Sequence, residues 1–158
     1  MEYWDRKINP GYPCSGWKLQ LYGKSESDSK FLYSILKSFL IENKLGCKIS
    51  TRNFFEVTNG KKQEGKSAII YFSGNIKNYN LEKIVSGIRD LLTENNYKKD
   101  KQIFGSKKLT NSVYYRFQMK VPEKKNGFYK EDFKIYYRKS DRDYNIKNNS
   151  DPFEGIKI

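Results

Sequence analysis

The chain has 158 residues, 37% of them apolar and 16% aromatic, which suits one domain whose core leans on tyrosine and phenylalanine. Its net charge is +13, from 31 basic and 18 acidic residues, and such an excess points to an anionic partner: a phosphate group, a nucleic acid or an acidic peptide. Two cysteines make no disulfide framework, the absence of histidine leaves neither a zinc ligand set nor a Ser-His-Asp or Cys-His mechanism, and no stretch approaches the ~18 apolar residues of a membrane span, so no metal, other cofactor or membrane partner is expected.

Residues 1–16 read as an irregular N-terminal arm with Pro10, Gly11 and Pro13 as turn formers. No apolar h-region of a signal peptide is visible, so a cytoplasmic location is expected, with leaderless export as an effector the alternative. Gly16–Tyr22 alternates in period two, with Trp17, Leu19 and Leu21 on one face and Lys18, Gln20 and Tyr22 on the other. Ser25 and Asp28 then resemble a capping box. Phe31, Leu32, Ile35, Leu36, Phe39 and Leu40 recur at helical spacing, and Gly46 is the expected stop. Lys48–Ser50 reads as a short strand and 57–66 as a basic loop. Ser67–Phe72 is a buried strand, and Leu81, Ile84, Val85, Ile88, Leu91 and Leu92 define a second helix, which Gly87 weakens by ~1 kcal/mol. A basic connection leads to a strand over 113–119.

The order β, α, β, β, α, β predicts an α+β fold: a mainly antiparallel sheet with two helices packed on one face. The domain spans 17–122. Residues 123–158 form a basic, tyrosine-rich tail, partly ordered and packed on the same domain, with one more strand near 133–138 and the last ~18 residues poorly ordered.

Four segments, in order, resemble the N-terminal phospho-Ser/Thr lyase domain of class III and class IV lanthipeptide synthetases and, more distantly, the bacterial phosphothreonine lyase effectors. Pro13-Cys14-Ser15-Gly16-Trp17-Lys18-Leu19-Gln20 is similar to a Pro-x-x-Gly-Trp-Lys-x-His opening strand. Cys47-Lys48-Ile49 is similar to Phe-Lys-Phe, Gly65-Lys66-Ser67-Ala68-Ile69-Ile70-Tyr71 to Gly-Lys-x-x-Thr-Ile-Tyr, and Tyr114-Tyr115-Arg116-Phe117 to a Tyr-Val-Arg-Tyr strand end. The likeness covers residues 13–119. Two positions depart from it: Gln20 stands in place of a histidine, and Lys107 in place of an arginine nine residues before Arg116.

The resemblance implies β-elimination of phosphate from phosphoserine or phosphothreonine. It implies Lys48 as the base that takes the α-proton, a role open to a lysine among other cations. Lys18 would stabilise the enolate or the phosphate, Arg116 would grip phosphate through its planar fork, and Lys66 and Lys107 would help as point charges. Tyr71 would hydrogen-bond the phosphate or supply a proton. Gln20 has no proton to give, and losing a general acid costs ~10²–10⁴ in rate. The expectation is therefore a phospholyase-like module that binds a phosphorylated Ser/Thr peptide, with elimination slowed to the point of a pseudoenzyme unless Tyr71 or the substrate takes the acid role. In lanthipeptide biosynthesis the partners would be a precursor peptide and a separate kinase.

Read without the family, Lys48 is a surface lysine at a helix end, Arg116 a cross-strand partner, Tyr71 a core residue, and Lys66 and Lys107 solvated charges. Two other functions stand beside the first. One is single-stranded nucleic-acid binding through runs such as Phe128-Tyr129-Lys130 and Tyr136-Tyr137-Arg138-Lys139. The other is a phage or effector protein that seizes a phosphorylated host ligand or nucleotide.

Overall fold

Six strands form one sheet, in the spatial order β1 (Trp4–Ile8), β3 (Gly46–Ser50), β4 (Lys66–Tyr71), β2 (Gly16–Tyr22), β6 (Val113–Gln118) and β5 (Lys107–Thr110), with every neighbouring pair antiparallel. The computed structural model describes residues 2–12, 16–118, 124–125, 128–129 and 151–158. A two-residue pair, β7 (Lys124–Lys125) and β8 (Phe128–Tyr129), stands apart. The strand expected near 133–138 lies outside the described residues.

Helices α1 (Glu26–Glu42) and α3 (Leu81–Glu94) share one core with one face of the sheet, the expected α+β arrangement. The Ser25 hydroxyl caps α1 by accepting from the Asp28 N–H at 3.3 Å, and Asn80 caps α3 in the same way through the Lys83 N–H. Leu32, Leu36 and Leu40, at i, i+4 and i+8, bury the inner stripe of α1 against Leu19, Leu21, Ile70 and Val113. Phe31, counted with that stripe from its spacing, instead stays exposed and stacks on Tyr97. Gly87 has a packing reason: a Cβ there would fall 2.4 Å from the Phe39 ring of α1.

Four more features differ from the sequence reading. Residues 4–8, within the expected irregular arm, form edge strand β1 on β3. A seven-residue helix, α2 (Arg52–Thr58), precedes the basic loop and buries Phe54. Helix α1 ends at Glu42, with Asn43 as cap and Lys44 in the left-handed region at φ 56°, so Gly46 opens β3 rather than stopping the helix. Gly46 lacks a side chain where a Cβ would meet the Tyr12 ring at 2.9 Å. Near the C-terminus, Phe153 is buried against Tyr115 (ring centroids 4.6 Å) and Trp17 (5.9 Å), although this stretch reads as poorly ordered from its composition.

Candidate functional site

Directly opposed residues of antiparallel strands share a face, and so do residues two apart on one strand. The registers therefore define rows across the face turned away from α1 and α3, the outer face. One row runs Arg6, Lys48, Ile69, Gln20, Tyr114, Lys108 from β1 to β5. The next runs Gly46, Tyr71, Lys18, Arg116 from β3 to β6. Lys18, Gln20, Lys48, Tyr71 and Arg116 thus occupy two adjacent rows on four neighbouring strands, each strand about 4.8 Å from the next.

Each side chain is held differently. Lys18 is buried, an uncommon place for a lysine, and its ammonium donates to Gln118 Oε1. Lys48 is half-buried, with its Nζ 4.4 Å from the centre of the Trp4 ring and 5.4 Å from that of Tyr71. Tyr71 is buried between Lys18 and Gly46. Arg116 is half-buried beside Lys18. Arg6, Tyr12, Lys48 and Tyr71 line one small recess at the β1 side.

Lys66 lies at the Tyr22 end of the sheet, across a bulge between Leu21 and Tyr22. The bulge turns Ser67 toward α1, where its hydroxyl meets that of Ser29 at 2.6 Å, and leaves Lys66 on the opposite side. Its ammonium donates to Gln63 Oε1 at 2.6 Å.

Lys107 is not with the others. It opposes Tyr115, which places it on the helix-covered face, where its Nζ is 3.8 Å from Asp151 and the Tyr115 hydroxyl also donates to that carboxylate. The outer-face position on β5 belongs to Lys108, whose ammonium donates to Asp100.

Gln20 is completely buried under the loop between α3 and β5. Ser106 of that loop donates its hydroxyl to Gln20 Oε1, while Gln20 Nε2 has no hydrogen-bond partner among the described residues. Ile103 fills the space over Tyr22 and Tyr114. Asp100 fixes the loop by accepting from Lys108, from the Tyr114 hydroxyl at 2.8 Å and from the Ser112 N–H at 3.1 Å. Burial pushes the Asp100 carboxyl up, but these bonds outweigh it and hold the group below the usual carboxylate range. Burial and the bond to Asp100 push the Tyr114 phenol up.

Sequence reading missed Trp4 and Arg6. A signal was present: Trp4, Arg6 and Ile8 alternate with Asp5 and Lys7 and are followed by Asn9-Pro10-Gly11, the pattern of a short strand ending in a turn. A larger recess, about 670 Å³, lies away from the cation rows at the start of α1, where Arg52 pairs with Glu56 and Lys101 with Glu64. Of the aromatic–basic runs, 136–139 lie outside the described residues. Among those described, no helix is long and apolar enough to cross a membrane.

Chemically, the outer face offers ammonium and guanidinium donors beside a phenol, a set matched to a tetrahedral polyanion. No protein-family model matches the sequence. No curated protein matches it either. Solved structures do share the fold. The type III effector and phosphothreonine lyase OspF from Shigella flexneri superposes with a TM-score of 0.55 at 13% identity, over 73% of this chain and 65% of that one. The effector protein from Pseudomonas syringae pv. syringae strain 61 superposes with a TM-score of 0.51 at 12% identity, over 78% of this chain and 48% of that one. This chain thus spans under two thirds of the Shigella protein and about half of the Pseudomonas protein, and the likeness is one of fold.

Proposed function

We propose that the outer face of the sheet is a phosphate-binding site of the phospho-Ser/Thr lyase type, and that its ligand is a phosphorylated Ser/Thr peptide. The observation that carries this reading is the register: Lys18, Lys48, Tyr71 and Arg116 stand in adjacent rows of four neighbouring strands. The fold shared with a phosphothreonine lyase supports it.

In this reading Arg116 takes two phosphate oxygens through its fork and Lys18 a third. Lys48 abstracts the α-proton, the electron pair forms the new double bond, and the Cβ–O bond breaks to release phosphate. Lys18 offsets the negative charge that develops on the carbonyl oxygen. Lys66 adds to the field from the edge, and Lys107, on the far face, takes no part. Tyr71 is the proton donor available to the leaving oxygen, because Gln20 has none to give and its carbonyl is engaged by Ser106. A phenol is a weaker acid than a protonated imidazole, so elimination with Tyr71 as donor is slow relative to binding. A lanthipeptide setting, with a precursor peptide phosphorylated by a separate kinase, is the finer proposal that the opening-strand motif favours.

The test is mass spectrometry of a phosphothreonine peptide incubated with the protein, alongside a binding titration. Loss of one phosphoric acid from the peptide, abolished in Lys48→Ala, establishes the lyase. Binding without any mass change marks a pseudoenzyme. Neither binding nor mass change removes the reading.

A second reading has one observation in its favour. Phe104 is 60% exposed at a loop tip, with the Lys62 ammonium 5.2 Å from its ring. Such a pair suits a stacked base of a single strand. Affinity for an oligonucleotide that falls steeply with salt and is lost in Phe104→Ala would favour it.

A further inference from the structure

We infer that Trp4 is a positioning residue for Lys48, which makes β1 a wall of the phosphate-binding face. The inference rests on the role given to Lys48 above. Strand β3 is flanked by β1 on one side and β4 on the other. Trp4 opposes Ser50 and so shares the outer face with Lys48, two residues away on the same strand. Tyr71 comes from the opposite flank. The Lys48 amine is therefore held between two aromatic rings from two strands, 4.4 Å from one centroid and 5.4 Å from the other.

Trp4 is itself fixed. Its ring lies 4.5 Å from that of Phe54, centroid to centroid, and Phe54 is buried on α2. The support runs from α2 through Phe54 and Trp4 to the amine. A lysine side chain has four rotatable bonds, and orienting it only when a ligand arrives would weaken binding and misplace the base. The indole face removes that freedom beforehand, by cation–π attraction while the amine is protonated and by contact with its stem in either state.

Two measurements test this. The first is the rate at which an amine-acylating reagent modifies Lys48, read by peptide mapping, which needs no ligand. The second is the affinity for a phosphothreonine peptide. Trp4→Leu is expected to speed Lys48 acylation and weaken peptide binding, each about 3- to 30-fold, with Trp4→Phe in between. A folded Trp4→Leu that acylates at the wild-type rate overturns the inference, as does faster acylation with unchanged peptide affinity. Should Trp4→Leu fail to fold, Phe54→Leu removes the support of Trp4 one step further back and is read by the same criteria. Lys48→Met judges the site separately: if the wild type eliminates phosphate from the peptide and Lys48→Met does so equally, the role of Lys48 as base is wrong whatever Trp4 does. If Lys48→Met loses elimination while Trp4→Leu keeps wild-type acylation and affinity, the positioning inference alone fails.

Discussion

Replacing Gln20 with leucine should leave the fold unharmed or firmer. The side chain is fully buried, its Oε1 accepts from Ser106, and its Nε2 meets no partner among the described residues. A buried donor left unsatisfied costs about 1–3 kcal/mol, and a single neutral hydrogen bond contributes about 1 kcal/mol. Leucine relieves the first term and forfeits the second, because Ser106, half-exposed, can return its hydroxyl to water. Its neighbours across the row, Ile69 and Tyr114, and the nearby Ile103 accept an apolar group. The net expectation is a gain of about 0–2 kcal/mol. Urea denaturation followed by circular dichroism reads this as a midpoint unchanged or raised by up to about 1 M, for a slope near 2 kcal/mol per molar. A loss of stability beyond about 1 kcal/mol would refute the reasoning, since it would mean that the amide nitrogen is already satisfied within the fold.

Four further outcomes follow from the same geometry. Gln20→His should raise any elimination rate, and equal rates in a competent assay would count against the alignment of β2. Arg116→Lys should weaken phosphopeptide binding about tenfold or more by isothermal titration, since one point charge replaces a two-pronged donor; an unchanged affinity would remove Arg116 from the site. Burial pushes the Cys47 thiol from its ordinary value of 9.0 up to about 12, so the stability that it contributes is intact below pH 9 and is lost as pH rises toward 12. Thiol labelling at pH 8, mapped to the residue, should therefore leave Cys47 unmodified until denaturant is added. Asp100 sits below the usual carboxylate range, so its hold on the loop is full above pH ~4 and fades as pH falls through its folded value. Protection of the Ser112 amide from hydrogen exchange, relative to its intrinsic rate at each pH, should fall across that range in wild type and already be low in Asp100→Asn.

The elements that were legible in the sequence are those with a long apolar repeat. Leu32, Leu36 and Leu40 mark α1, and Ile84, Val85, Ile88 and Leu92 mark α3. Strands β2, β4 and β6 alternate or run apolar across the middle of the sheet. Strand β1 was hidden because an edge strand needs little apolar content, and Asp5, Arg6 and Lys7 dilute its pattern. Helix α2 was hidden because seven residues are too few for a periodicity and too few to be stable without packing, which Phe54 supplies against Trp4. Parity along β2 separated Lys18 and Gln20 from Leu19 and Leu21, while Lys48, Tyr71 and Arg116 were joined to them only by the resemblance. Lys107 entered the site through the resemblance, by its place nine residues before Arg116, and a place in the sequence does not fix a face of the sheet. Strand β5 is short and irregular between Lys108 and Thr110, so a displacement by one residue decides which of two adjacent lysines reaches the outer face.

The registers of β2 also govern the order in which the molecule can be assembled during synthesis. This strand emerges early, yet its two partners begin at Lys66 and Val113. Until Gln118 has left the ribosome, one ladder of Lys18 has nothing to bond, and the row shared with Arg116 does not exist. A nascent chain arrested between β4 and β6 would thus hold Lys18 and Lys48 without Arg116 and the strand that carries it, and would expose an unprotected β2 flank to any chaperone or neighbouring chain with a free edge.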